Sequence, residues 1–400
     1  MSPSVLLGSD IGGHDHDLGT RWSGAEHVKL GEEGFNHACA EFDSPHSACT
    51  NSVIYRKDRK VDLNYGKIVA LGDFYKNPES AYMEQRIIKG LEKAFKCIDD
   101  QGKVHAQQET HPDVDYPDCT WVNIFSGTKY LKVLSTNINH FGWYNIIEYI
   151  TIHEKALDLA LVAHDLAKDN RTEQAEYVLN KALFYNAFGD HYLTDAFSAG
   201  HVRVPRKQLK SWARKNIRGM LRSYVGDSLG NILHDSDGRD RAGNHIGLHV
   251  KNSMGQEWLT HCDNHLHSGV NDQDPVIKIP VQAVSASVQE VFSAYKYGTK
   301  PEGVFQALNL VPFVNDRELH KKFKLTGNRT IDNRILQKLR NGLDWPLRMI
   351  TSTKSIEKMI HALSGIMTTM GEDIQKEIAK KEPWEKRMPE EYKKNYSNIK

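Results

Sequence analysis

The sequence lacks any apolar run long enough to cross a lipid bilayer. A spanning helix needs roughly 18 or more continuous apolar residues, and no segment of the 400-residue chain approaches that length. Residues 1–13 hold only the short apolar run Val5–Leu7, with no basic stretch before it. That is not the pattern of a secretory signal peptide. The sequence therefore predicts no transmembrane segment, and residues 1–13 show no leader for export.

The sequence also lacks an excess of charge of either sign. Lys and Arg total 52 against 51 Asp and Glu, so no overall positive field attracts a polyanion, which argues against nucleic acid as a partner. One acid-free run is a local exception: Arg203, Arg206, Lys207, Lys210, Arg214, Lys215, Arg218 and Arg222. Such a run is typical of a solvated helix face or a surface for anionic lipid, and it is also compatible with phosphate binding.

Cysteine is sparse and widely spaced. The five cysteines, Cys39, Cys49, Cys97, Cys119 and Cys262, include no CxxC pair and are odd in number. We therefore expect neither a zinc ribbon nor a disulfide framework, and the redox compartment stays open.

Histidine, by contrast, is abundant. The chain has 20 histidines, and imidazole is a common metal ligand. The composition thus indicates metal chemistry. The chain is also long enough to bury a sizeable core, as one large domain or two ordinary ones.

Hydrophobic periodicity predicts a mainly α protein. It places one or two helices over 144–168, one from Asn170 or Thr172 to Phe197, one over 206–233 and one over Val281–Tyr295. The helix that ends at Phe197 is apolar around most of its circumference, so we expect it to be central. The first 130 residues indicate loops, short helices and minor strands.

The last hundred residues have a different character. Charged residues become more frequent after Gly298 and Pro301, and an amphipathic stripe follows. The stripe consists of Ile356, Met359, Ile360, Leu363, Ile366, Met367, Met370 and Ile374. We predict a domain over 1–300 and a helical extension over 301–400, with the stripe either in the core or in a groove for lipid or a partner.

Two imidazoles and a carboxylate carry the chemistry, with His191, Asp195 and His201 at i, i+4 and i+10. His191 and Asp195 share a helix face, so they could grip one ion. His201 would lie about 15 Å further along a straight helix, so it would serve a second ion, with Asp195 bridging, unless the chain bends. The alternative is a core histidine bonded to Asp195, although burying that carboxylate without a cation or several hydrogen bonds is costly.

The segment from His191 to His201 resembles the HxxxDxxxxxH helix of the zinc-dependent phospholipase C and single-strand nuclease superfamily. Asn139-His140-Phe141 and the stretch from His153 to Leu157 are similar to its bacterial-type phospholipases C. The resemblance implies a multi-helix bundle in which His191 and Asp195 bind one zinc, Asp195 also reaches another, and His201 belongs to a further one.

Further ligands come from the same resemblance. His140 would join the first zinc, and Val69–Tyr75 looks like the segment whose aspartate, here Asp73, completes that site with His191 and Asp195. Two nitrogens and two oxygens suit zinc. An ordinary turn carboxylate for Asp73, and a capping or core role for His140, remain the alternatives.

The second and third zinc ions are implied by weaker matches. The run from His234 to Asp237 resembles a family HDxD, which makes His234 a ligand beside His201. Asp237 is a candidate third ligand or a polar residue in a turn that closes a helix. At the amino end Trp22 and His27 are the nearest analogues of the family's third-zinc ligands, with His14, His16 and His37 as possible substitutes. Two or three zinc ions are expected.

The implied activity is hydrolysis of the glycerol-side phosphodiester of phospholipids, with phosphatidylcholine preferred, to diacylglycerol and a phosphorylated head group. Metal-activated water would attack phosphorus, with Asp73 and Asp195 as catalytic residues, on phospholipid at a membrane surface. The resemblance also implies secretion. The alternatives are a single-strand nuclease or nucleotidase of the same superfamily, an HD-domain phosphohydrolase built on His164-Asp165, and a non-enzymatic helical lipid- or partner-binding protein.

Overall fold

The protein is mainly α-helical, as predicted. The structure, a computed structural model, describes residues 24–42, 47–51, 53–57, 61–83, 93, 95–97, 99–100, 138–219, 222–238, 247–261, 272–314, 325–343, 345–380 and 384–397. In these ranges the sheet structure is limited to two antiparallel hairpins, β1–β2 and β3–β4. They consist of Tyr55–Lys57, Val61–Leu63, Leu248–Lys251 and Glu257–Thr260.

The amino-terminal part holds four helices: α1 (Gly24–Phe42), α2 (Ser47–Asn51), α3 (Tyr65–Ala70) and α4 (Pro78–Met83). At 19 residues, α1 is longer than the short helices expected here. Its glycines lower helix propensity, but they allow close packing, since a β-carbon on Gly34 would lie 2.5 Å from Val284. Tertiary packing thus stabilises a helix that local propensity disfavours.

Two long helices form the centre. They are α5 (Tyr144–Lys168) and α6 (Thr172–Asp195), which pack together along their length and are antiparallel because a short turn joins them. Every residue of α6 from Ala182 to Asp195 is buried, which confirms the predicted central position. The helix ends at Asp195 rather than at Phe197.

Three helices follow. The single helix predicted over 206–233 was wrong, because the chain forms α7 (Arg206–Asn216) and α8 (Arg222–Gly238), with extended backbone at Ile217 between them. Helix α9 (Pro275–Tyr297) is longer than expected. Asp274 caps its start and Gly298, at φ 68°, ends it; an aspartate N-cap is a standard start signal for a helix and a left-handed glycine a standard stop signal.

The C-terminal part is also helical. It comprises α10 (Gln306–Leu310), α11 (Arg329–Asn341), α12 (Trp345–Ile350), α13 (Thr353–Lys380), α14 (Trp384–Arg387) and α15 (Glu390–Ser397). The apolar stripe on α13 is buried throughout, against neighbours that include α7 and α11. The stripe therefore belongs to the core and is not an exposed groove. The boundary near residue 300 stays a prediction, although Arg387 bonds Glu154 of α5 at 2.6 Å.

The sequence did not indicate a disulfide framework, but the structure contains disulfides. Cys39 near the end of α1 is bonded to Cys49 of α2, ten positions along, with the Cα atoms 5.7 Å apart, and Cys97 is also disulfide-bonded. Spacing alone missed the pair because a bridge depends on Cα separation in the fold.

The predicted lack of a transmembrane segment agrees with the structure. Within the ranges given above, no helix combines the length and apolar character needed to cross a membrane.

Candidate metal centre

The candidate centre forms where α6 ends and the chain turns back. After Asp195 a bend leads into a single 3₁₀ turn, Ala199–His201. This return brings His201 Nδ1 to 3.2 Å from Asp195 Oδ1. The chain therefore bends, so the 15 Å separation of a straight helix does not apply, and the bend places His201 and His191 beside the same carboxylate.

The two oxygens of Asp195 divide the histidines into two pairs. Oδ2 lies 2.7 Å from His140 Nδ1 and 3.4 Å from His191 Nε2. Oδ1 lies 3.2 Å from His201 Nδ1 and 3.6 Å from His27 Nε2. All five side chains are at most 2% exposed. A carboxylate in this position can bridge two cations, each of which also meets imidazole nitrogens.

Thr194 determines which nitrogen of His27 can bind an ion. Its hydroxyl donates to the carbonyl oxygen of Asp190 or His191, at 2.8 and 2.9 Å, so it can only accept from His27 Nδ1, 2.9 Å away. In a neutral imidazole this leaves the lone pair on Nε2, the atom that faces Asp195. A hydrogen bond from the ring nitrogen that does not bind the ion orients a histidine ligand.

Asp73 is brought to the same place. It ends the short turn Leu71–Asp73 after α3, and its carboxylate joins His27 and His191 in one group whose ligand atoms all lie within 4.8 Å of one another. A second such group consists of His140, His191 and Asp195. His191 is common to both groups, so the two candidate sites are adjacent.

His234 lies beside His201 at the far side of the centre. The two ring centroids are 5.3 Å apart, and the ring of Phe141 lies 4.3 Å from His201. The backbone N–H of Gly142 donates to the carbonyl oxygen of His201 at 2.8 Å. The loop that carries His140 is thereby tied to the turn that carries His201.

Two glycines allow the imidazoles to sit against the backbone. A β-carbon on Gly72 would lie 2.3 Å from His191 Cδ2, and one on Gly200 would lie 2.1 Å from His234 Cδ2. Real side chains cannot approach so closely. Neither glycine was recognised from the sequence, where a Gly beside a predicted ligand carries no distinctive signal.

Asp237, the weakest of the predicted ligands, forms a bidentate ion pair with Arg203. The two distances are 2.8 Å from Nε to Oδ2 and 2.6 Å from the terminal nitrogen to Oδ1. Both residues are buried. Neither ligand group found among the described residues includes Asp237, and its carboxylate offsets the charge of a buried guanidinium.

The remaining histidines named from the sequence lie elsewhere. His37 is exposed on α1, about 15 Å along the helix from His27. His164 makes a 2.7 Å hydrogen bond to the carbonyl oxygen of Tyr295, and Asp165 is exposed. His14, His16 and Trp22 fall outside the described residues.

A buried polar network behind the centre was not predicted. Asp190 accepts hydrogen bonds from Tyr65 at 2.6 Å and Ser287 at 2.7 Å. Asn186 donates to the hydroxyls of both Tyr65 and Ser287, at 2.7 and 3.0 Å. These bonds join α3, α6 and α9, the helices around His191. In the sequence, the position of Asp190 on an otherwise apolar helix indicated that its carboxylate must have hydrogen-bond partners.

The network extends to His153, whose two ring nitrogens face acceptors. They lie 2.5 Å from Asn186 Oδ1 and 2.9 Å from Glu290 Oε2. Burial alone would lower the pKa of His153, but the hydrogen bond and charge of Glu290 outweigh it and raise that pKa. Burial also raises the pKa of Asp190 to about 7, against the hydrogen bonds from Tyr65 and Ser287.

Comparison of the chain with family models, curated proteins and solved structures finds no match. What the centre can do therefore follows from its own chemistry.

The residues of the centre fit a metal ion. Imidazole nitrogens and carboxylate oxygens are the donor types that zinc takes, and they converge in a fully buried space. An aspartate buried among neutral imidazoles is costly unless a cation or charged donors balance it. These His and Asp groups can hold a metal ion.

Proposed function

We propose that this protein is a zinc-dependent phosphodiester hydrolase that acts on phospholipid as a phospholipase C. The observation that carries the proposal is the meeting of four buried imidazoles on the two oxygens of Asp195, between 2.7 and 3.6 Å. A carboxylate whose two oxygens each meet imidazoles can hold two cations side by side, the arrangement that a two-metal hydrolase uses. The motif that led to the family resemblance, His191 to His201, supplies three of the groups involved.

Each residue has a definite task in this proposal. His140, His191, Asp195 and Asp73 would hold the first zinc, and His201 and His234 the second, with Asp195 shared. His27, whose ligand atom lies within 4.8 Å of those of Asp73 and His191, would hold a third ion beside the first. When bound, zinc lowers the pKa of water toward neutrality and neutralises phosphate oxygens. Asp73 would accept the proton of the attacking water or orient it. Phe141, packed on His201, would exclude bulk water from that side.

Internal ion pairs of the basic run argue against a continuous phosphate track for nucleic acid beside the centre. Lys207 bonds Glu377 at 2.6 Å, Lys210 bonds Asp227 at 3.0 Å, and Arg203 pairs with Asp237. Charges that are already paired contribute little to phosphate binding. The half of the run nearest the centre is therefore committed to internal ion pairs.

We further propose that the protein works in an oxidising compartment, in line with the secretion that the family resemblance implies. Disulfides persist mainly in secreted and extracellular proteins, and Cys39, Cys49 and Cys97 are all bonded.

Metal content and substrate choice test the proposal together. Purified protein should contain two or three zinc ions per chain by mass spectrometry, as the sequence resemblance implies. It should release phosphocholine from phosphatidylcholine, and o-phenanthroline should abolish that release. Single-stranded DNA, assayed in parallel, should stay intact. DNA cleavage without phosphocholine release would contradict the phospholipase C proposal and support the nuclease alternative.

Variants separate the centre from general effects on folding. His191→Ala should lose bound zinc and activity, while His361→Ala, which removes an exposed histidine on α13, should keep both. Circular dichroism checks that each variant is folded. Hydrolysis that persists after verified removal of zinc would contradict the mechanism.

A further inference from the structure

A cluster of exposed basic side chains lies where the end of α7 meets the start of α13. Lys358 Nζ donates to the carbonyl oxygen of Asn216, the last residue of α7, at 2.9 Å. We define the basic face as Arg214, Lys215, Arg218, Arg222, Lys354 and Lys358, all of which are exposed. Segments more than a hundred positions apart thus contribute to one surface.

Few acids oppose this face. The sequence from Arg203 to Gly226 contains no Asp or Glu. The next acidic residue, Asp227, is buried and forms an ion pair with Lys210. Between Lys354 and Lys358 in the sequence, the acidic residue is Glu357, and it is half-buried. The basic face is therefore strongly positive on a molecule whose net charge is +1.

Two exposed apolar side chains lie beside the basic face. Tyr224 is 42% exposed and Met349 is 66% exposed. Ser228 connects the two segments that carry these side chains. Its hydroxyl donates to the carbonyl oxygen of Tyr224 at 3.0 Å and lies 2.8 Å from Thr351 Oγ1. Met349 is two residues before Thr351, and α12 packs against α8.

We propose that the basic face, with Tyr224 and Met349, docks the protein on an anionic lipid surface. Clustered Lys and Arg are attracted by the negative potential of anionic lipid, while tyrosine and other amphipathic or apolar side chains enter the interfacial layer. A nucleic acid would use the same charges but gains nothing from an isolated methionine. The proposal goes beyond the hydrolase assignment, since docking requires none of the metal-binding residues.

Vesicle co-sedimentation of the 400-residue chain tests the docking. Binding to phosphatidylcholine vesicles with about 30 mol% phosphatidylserine should exceed binding to pure phosphatidylcholine by roughly tenfold or more. It should weaken strongly between about 0.1 M and about 0.5 M salt. Equal binding to the two vesicle types would overturn the proposal.

Matched variants locate the surface. Arg214→Gln with Lys215→Gln should lower the partition coefficient on the anionic vesicles about tenfold. The control is Lys168→Gln with Arg171→Gln, which removes two exposed charges at the α5–α6 turn, roughly 35 Å from Asp195 at the other end of α6. The control should bind like the wild type, and a similar loss in both pairs would contradict the proposed location.

Two further measurements distinguish a lipid surface from a nucleic acid as the partner of the basic face. Met349→Gln should weaken vesicle binding while leaving the binding of a single-stranded oligonucleotide unchanged. If the oligonucleotide binds more tightly than the vesicles and depends on Arg214 and Lys215, the face is a nucleic-acid surface. Chelation of zinc should leave vesicle binding intact in protein shown to be folded, so the docking and the hydrolase proposals fail independently.

Discussion

Gly72 lies so close to His191 that a β-carbon in its place would be 2.3 Å from the imidazole Cδ2. The turn after α3 therefore fixes the ring of His191 from one side, while α6 holds its backbone. Since Asp73 is the next residue, the same contact also sets the distance between two candidate ligands.

Gly72→Ala should displace His191 and reduce the metal content of the protein. A β-carbon cannot be accommodated at that distance unless the ring or the turn moves, and we expect a loss of stability of about 1–3 kcal/mol from overpacking. Mass spectrometry of bound metal and urea unfolding measure the two effects. The control is Gly365→Ala on α13, where nothing lies within 4 Å; it should stabilise the helix slightly. Full metal occupancy in Gly72→Ala would contradict the role of this close contact in positioning His191 as a ligand.

Gly200→Ala should affect a different ion. Its β-carbon would lie 2.1 Å from His234 Cδ2, and His234 is assigned to the second zinc together with His201. We expect the bound zinc to fall by about one ion per chain while the ion at His140 and His191 remains. Loss of all metal would indicate a single coupled centre instead of two separable sites.

Asp190 should make the unfolding free energy decrease as pH rises. Its pKa is raised to about 7 in the folded state from 3.8, so between these values the folded protein binds more protons than the unfolded chain, and stability falls with increasing pH. His153 acts in the same direction at higher pH. Its folded pKa is raised above 6.5, so its contribution is fully present below 6.5 and is lost as pH passes through the folded value.

Asp190→Asn tests this linkage. Urea unfolding from pH 4 to pH 7, with chelator present so that metal binding does not contribute, should give a shallower decline for the variant than for the wild type. Identical slopes would mean that Asp190 titrates normally in the folded state.

The Cys39–Cys49 bridge should stabilise the protein. It closes a short loop, for which chain entropy predicts about 2–3 kcal/mol. Cys39→Ser with Cys49→Ser should lower the unfolding free energy by that amount in urea. Reductant should destabilise the wild type more than this variant. A wild type that is insensitive to reductant would show that the bridge does not form in solution.

The sequence predicted the features that depend on local pattern. The sequence near Leu183 to Phe188 indicated a central helix because apolar residues cover most of its circumference, and that part of the helix is buried. The spacing of His191 and Asp195 indicated a shared face, and the two side chains meet at 3.4 Å.

Features that depend on the fold as a whole were missed. Nothing local shows that Arg203 pairs with Asp237 across 34 positions, or that the chain reverses after Asp195. Helix α1 was underestimated because its stability comes from contacts of Gly34 with α9 rather than from propensity. The identity of the metal, the number of ions and the substrate stay predictions, because no local pattern of residues encodes them.

The reversal after Asp195 also bears on how the protein matures. The groups that meet there come from separate stretches, beginning at His27 and ending at His234, which follows His201 by a full helix. A nascent chain that has emerged only as far as α6 presents some of these groups but not the closing turn. Because a preformed site is absent until the fold is complete, a cation held by these groups would be taken up late, and its rate of uptake would report the completion of tertiary structure.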